Sequence, residues 1–293
     1  MTEDILRDFP HRLFSSLQDY GPREYFVTVT LVAALVWETL FQWFRTVIVP
    51  TYAPPFILLS DDPDGKKKSD RLSMLLQQAP SYLCSIVHSL ITGGSALHFY
   101  LQLHAITDDV AAQYTTLPPG MIEVDALFLG YLLYDLIHLL YQYPRLGGLD
   151  LVLHHVVFMI CAWYNGLYSM HTFTFSWLLL GEWSTVCLSL RWLYIQGGRG
   201  ATMGFQRIQH AFCALFFLTR IVLYNVGLWH MVRHWKEMMD GILRICRPPK
   251  AILYTTTLLV FAGGVLNGVW MYKIFLLAAR PTRKRSSDTK KPQ

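Results

Sequence analysis

Tyr131, Asp135, His138 and Gln142 recur at i, i+4, i+7 and i+11, the spacing of one helical face. A phenol, a carboxylate and an imidazole on one stripe are groups that move protons. His88, Thr92 and Ser95, preceded by Ser81 and Ser85, draw a second stripe. The adjacent pair His154-His155 opens a third run, in which His154, Cys161 and Asn165 share a face, and Glu182, Thr185 and Ser189 mark a fourth. Each residue taken singly also has a packing explanation; Asp135 and His138, for instance, stand at i, i+3 and can satisfy one another. The set is harder to explain that way, because all four runs sit in strongly apolar sequence.

The elements that must position these groups are membrane helices. Of 293 residues, 53% are hydrophobic, 14% aromatic and only 15% charged, with a mean hydropathy of +0.31. That balance excludes a disordered chain, a coiled coil or a secreted disulfide scaffold. About 20 mostly apolar residues cross a bilayer core, and seven stretches reach or approach that length: 25–49, 80–104, 122–143, 149–168, 171–195, 207–232 and 251–279. The predicted fold is an all-α, polytopic helix bundle. At bilayer depth an ionisable side chain costs about 2.5–3.5 kcal/mol on insertion scales, so the four stripes are expected to face the interior.

The first 24 residues are polar, without an apolar core and small-residue cleavage site, so the first span is expected to act as the targeting signal. The net charge of +5 resides in the tail, where six basic residues meet one acid, and therefore points to a membrane-side tail and not to nucleic acid. One set of connections carries thirteen basic residues, including Lys66, Lys67, Lys68 and Arg71, and the other carries eight, five of them after the sixth span. The positive-inside rule then predicts a lumenal N-terminus and a cytosolic C-terminus. The ending Lys290-Lys291-Pro292-Gln293 resembles a dilysine retrieval signal, which predicts residence in the endoplasmic reticulum. Domain boundaries follow: a lumenal segment 1–24, an extra span 25–49, a cytosolic loop 50–74, the main membrane domain 75–280 and a basic tail 281–293.

In this topology His138 and His154 lie at one level, about five residues inside the cytosolic boundary, with His88 and Asp135 about 12 Å deep and Glu182 near mid-membrane. Four spans thus direct titratable groups into one volume open to the cytosol. Adjacent helical residues point about 100° apart, so one of His154 and His155 is expected to face it more fully. Other features read as structural. Gly264 and Gly268 form a packing G-x-x-x-G, His230 and His234 suit a solvated interface, and Trp43, Trp192 and Trp229 suit interfacial belts. Glu38 can pair with Arg45 or stand alone. Cys84, Cys161, Cys187 and Cys213 occupy apolar runs and only Cys246 a polar one, with no disulfide framework, C-x-x-C or metal site expected.

The segments S-I-V-H-S-L at 85–90, G-Y-L-L-Y-D-L-I-H-L-L at 130–140, L-D-L-V-L-H-H-V-V-F-M at 149–159, G-E-W-S-T at 181–185 and L-R-W-L-Y at 190–194 resemble the TLC domain. Ceramide synthases and translocating-chain-associated membrane proteins share that domain, and the G-E-x-S-T and R-W pattern is most similar to the small TLC-domain proteins. The resemblance implies six helices, spans two to seven, in a barrel-like bundle around a lipid cavity. In ceramide synthases an adjacent histidine pair within the bundle passes an acyl group from acyl-CoA to a sphingoid base. Carried over, His154 and His155 are the catalytic pair, an imidazole deprotonating the amine or acting as nucleophile, and Asp135 fixes its tautomer; His138 is a further catalytic candidate. His88, Tyr131, Glu182, Thr185 and Asn165 are the lipid-binding candidates. The chain departs from that pattern at Phe158, where ceramide synthases have Thr, and at the single Glu182, where they have paired acids.

Two functions follow from this reading. One is the binding or handling of acyl lipids or sphingolipids in membrane lipid homeostasis, with no cofactor. The other is an N-acyltransferase of ceramide synthase type, with acyl-CoA as co-substrate. An iron-dependent desaturase would need H-x-x-x-H and H-x-x-H-H boxes that do not accompany His154-His155. A translocon accessory leaves the polar stripes unexplained, and no charge ring or carbonyl-filter motif supports a channel.

Overall fold

A computed structural model describes residues 21–58 and 65–278. Residues 1–20, residues 59–64 and the tail with its dilysine lie outside the described residues. Every regular element among the described residues is helical: α1 (Pro22–Trp43), α2 (Val49–Leu58), α3 (Gly65–His104), α4 (Val110–Thr115), α5 (Met121–Tyr141), α6 (Leu149–Tyr168), α7 (Thr172–Leu179), α8 (Glu182–Gln196), α9 (Met203–Leu215), α10 (Tyr224–Arg233), α11 (Trp235–Ile245) and α12 (Lys250–Ala278). Wider π-helical turns, Phe44–Ile48 and Phe216–Leu223, join α1 to α2 and α9 to α10.

Among the described residues, six helical stretches are long and apolar enough to cross a membrane: Pro22–Phe56, Met121–Tyr141, Leu149–Tyr168, Thr172–Gln196, Met203–Arg233 and Lys250–Leu276. Their outward faces expose Leu35, Leu258, Val265 and Phe275, as helices solvated by acyl chains do. The expected span at 80–104 lies within the 40-residue α3. Its composition is less apolar because it carries the serine, threonine and histidine stripe, and Ser81, His88, Ser89 and Thr92 are buried within the bundle. The expected fifth span is broken at Leu180-Gly181 into α7 and α8, so Glu182 opens a new helix. Its carboxylate in that first turn complements the helix dipole.

Helix α1 is more than an appendage. It packs along α5, where Gly130 admits the α1 backbone at Thr30 and Ala34 and the Ala33 methyl. The Trp37 indole N–H donates to the Leu127 carbonyl at 3.1 Å, and Phe26, fully buried, lies over Gly166 of α6. Glu38 bonds His138 of α5 at 2.8 Å and accepts from Gln42 at 2.6 Å, which settles a partner that spacing left open.

On α12, Gly264 seats against Tyr224 and Leu228, whereas Gly268 faces open space, so only half of the G-x-x-x-G packs. Trp43 and Trp229 are exposed as belts require, but Trp192 stacks on Tyr82 with centroids 4.0 Å apart. The two histidines near the end of the sixth span have protein partners: His230 bonds the Tyr114 hydroxyl at 2.9 Å and His234 bonds Glu237 at 2.8 Å. Cys246, in its polar stretch, donates to the Ser169 carbonyl at 3.3 Å, and burial pushes its thiol up to about 11.

The α1–α5 approach yields a test. Gly130→Val forces a side chain into the α1 backbone and is expected to destabilise by about 1–3 kcal/mol, whereas Gly268→Val is expected to be nearly neutral. Thermal unfolding of both variants in detergent checks the contrast, and equal effects would refute the packing assignment.

Candidate functional site

Helices α3, α5, α6, α8, α9 with its π turn, and α12 enclose a cavity of about 450 Å³, within the usual size range of small-molecule sites. Its lining runs from the end of the bundle that carries the α5–α6 turn, with Leu146, Asp150, Arg191 and Lys273, to a floor at Phe128, Glu182 and Arg220. Along α8 the rise from Glu182 to Arg191 is about 14 Å.

The histidine pair divides its tasks. Both rings line the cavity, but His155 is held at both nitrogens. Its Nδ1–H donates to the Leu151 carbonyl at 3.0 Å, and Nε2 lies 2.8 Å from Asp135 Oδ2. A carbonyl only accepts, so Nδ1 carries a proton, and a neutral ring would then turn a lone pair toward a carboxylate. One further proton must therefore sit between Nε2 and Oδ2, and the pair behaves as a unit. His154 has no hydrogen bond to any described residue. Its Nδ1 is enclosed, so Nε2 is the ring nitrogen that open space can reach. Phe158 and Trp270 flank the ring at centroid distances of 4.5 and 5.0 Å. The residue that departs from the ceramide synthase pattern, Phe158, thus forms an aromatic wall for His154.

The floor is a second charged cluster. Arg220 donates through Nε to Ser184 Oγ at 3.0 Å and through Nη2 to Thr185 Oγ1 at 3.0 Å and Glu182 Oε1 at 3.3 Å. Glu182 Oε2 accepts from Ser89 at 2.9 Å, with His88 Nε2 at 4.0 Å. His88 lies flat on Tyr131, their centroids 3.7 Å apart, and Trp37 of α1 meets both rings edge-on. The added N-terminal helix therefore supports the cavity wall from behind. At the opposite end Lys273 and Trp270 donate to Asp150 at 2.8 and 3.2 Å, while Arg191 Nε donates to Gln209.

Among the sequence candidates His154, His155, Asp135, His88, Tyr131, Glu182 and Thr185 line this one cavity, and His138 and Asn165 do not. His138 turns to Glu38, and so does not pair with its neighbour Asp135. Asn165 donates to Asp125 at 2.8 Å, about three turns from His154 toward the other end of α6. Arg220, Asp150, Trp270 and Lys273 were missed. A lone arginine inside the apolar run 211–229 was a legible signal, by the same insertion cost that singled out the histidines.

These features define a polytopic membrane protein with an internal chamber whose charges are paired across helices. The TLC domain family model matches residues 79–276, and the chain belongs to that family. It is similar to TLC domain-containing protein 4-B of Danio rerio, 24% identical over 219 residues, covering 72% of this chain and 79% of that one. It is also similar to TLC domain-containing protein 2 of Mus musculus, 27% identical over 161 residues, covering 54% of this chain and about half, 51%, of that relative.

The floor pair carries its own prediction. Glu182→Ala strands a buried guanidinium and is expected to destabilise by about 3–5 kcal/mol, and Glu182→Ala combined with Arg220→Met is expected to recover most of that loss. Thermal unfolding in detergent decides; a double variant no better than the single would show the pair to be energetically idle.

Proposed function

We propose that this chain holds a single-chain acyl lipid inside its helix bundle and acts in membrane lipid homeostasis. The observation that carries this reading is the shared cavity: polar groups from several helices converge on one space of about 450 Å³ within the bundle. At roughly 30 Å³ per water-sized group it takes about fifteen such groups, the bulk of one long acyl chain and too little for a two-chain lipid. Acyl lipids and sphingolipids related to single chains are the ligand classes in this reading. In this reading the protein resides in the endoplasmic reticulum membrane, and the distribution of basic residues supports a lumenal N-terminus and a cytosolic C-terminus.

A second reading rests on one observation, the unpartnered His154 Nε2 beside the Asp135–His155 pair. In an acyl-CoA-dependent N-acyltransferase, His154 would take a proton from a sphingoid amine as nitrogen attacks the thioester carbonyl. The C–N bond forms, the C–S bond breaks, and the proton passes to the departing thiolate. His155 and Asp135 would then be positioning residues that hold charge beside the reacting carbonyl.

Two measurements separate these readings. Protein purified without added lipid is expected to release a single-chain acyl lipid on extraction, severalfold less in the cavity-filling Ser85→Phe variant; an empty wild-type cavity would defeat the binding reading. Acyl-CoA and sphinganine are expected to liberate free CoA only under the second reading, with loss in His154→Ala, and absence of turnover with any long-chain amine removes it.

A further inference from the structure

The cavity has a paired charge cluster at the end away from the α5–α6 turn. Glu182 opens α8 and Arg220 sits in the Phe216–Leu223 π turn, both about 14 Å of helix rise from the Arg191 level. A chain that entered methyl-first would rest its terminal carbon on an ion pair. Arg220 is only 8% exposed, and its Nη1 makes no hydrogen bond to a described residue although the guanidinium lines the cavity. An apolar occupant would leave that donor buried and unsatisfied, the arrangement that folded proteins avoid.

We propose that this floor binds the uncharged polar head of a single-chain lipid, so that the ligand sits head-inward and its chain runs toward the α5–α6 turn. The proposal rests on the reading that the cavity holds a single acyl chain, and it specifies the head group and the orientation. Charge complementarity sets the head chemistry. Arg220 is matched by Glu182 at 3.3 Å, so an ammonium or carboxylate head would bring an unpaired charge into a compensated site. A hydroxyl or primary amide both accepts and donates. It can take a hydrogen bond from Arg220 Nη1 and give one to a remaining lone pair of Glu182. Ser89 already holds Oε2, and His88, enclosed beneath Tyr131, backs the carboxylate without competing for the ligand.

The test uses the full chain in nanodiscs and two photoactivatable forms of cetyl alcohol, one with a diazirine beside the hydroxyl and one with it at the chain terminus. The hydroxyl-end probe is expected to label residues 181–185 or 216–220, and the terminal probe residues 188–192 or 270–274. The reverse order would overturn the head-inward orientation while leaving the cavity reading intact; no labelling inside the bundle by either probe would remove the cavity reading itself. In competition, cetyl alcohol and palmitamide are expected to displace the probe at concentrations about tenfold or more below those needed for cetylamine or palmitic acid, the effect of one charge-assisted hydrogen bond. Arg220→Met with Glu182→Gln, which keeps the floor neutral, is expected to bind all four equally. A preference for the charged heads in the wild type, or a neutral-head preference that survives in the double variant, counts against the proposal.

Discussion

The Glu182–Arg220 ion pair is the constraint around which the chamber is organised. A charge inside a low-dielectric domain is tolerable only when paired and hydrogen-bonded, and here the requirement reaches several elements. The chain breaks at Gly181 so that Glu182 begins α8, and the π turn carries Arg220 against that break. Ser184 and Thr185 complete the guanidinium's shell, and Ser89 of α3 caps the carboxylate. Segments of α3, of the start of α8 and of the π turn, remote in sequence, are therefore held at one level by a set of bonds that no single helix could satisfy.

The same economy governs the upper wall. Asp135 and Leu151 occupy both nitrogens of His155, while His154 rests among aromatic rings with one nitrogen open. Two adjacent imidazoles thus have different chemistry, because a helix turns them onto different neighbours. His155 is bound into the framework, and His154 is the one able to meet a ligand.

Much of this was legible in the sequence. Hydropathy and length placed the last five spans within about four residues, though the first runs on to Phe56 and 80–104 lies in the longer, more polar α3, and helical spacing grouped the residues of α3, α5, α6 and α8 that line the chamber. Periodicity, however, gives an angle around a helix axis and not the identity of the neighbour at that angle. His138 is one such case: it is separated from Asp135 by about 60° less than a full turn, enough for α1 and Glu38 to claim it. Asn165 shares a nominal face with His154 but lies three turns away, where Asp125 is the partner. Trp192 has the composition of an interfacial belt, yet Tyr82 draws it into the cavity rim. Short helices α4 and α11 lay in loops where no span was sought. Arg220 was readable by cost alone, but its partner across the bundle was not.

The widened turn at Phe216–Leu223 accommodates one residue more than an α-helical turn of the same rise. Loss of a single residue there could be absorbed by reversion to ordinary helix, leaving both flanking segments intact. What would change is azimuth within the turn itself, where Arg220 would shift around the axis while the flanking segments keep their relative orientation. A span of this kind can keep its length and its fit to the lipid while redirecting a guanidinium, so an indel at this turn is a route by which ligand preference could diverge without rebuilding the bundle.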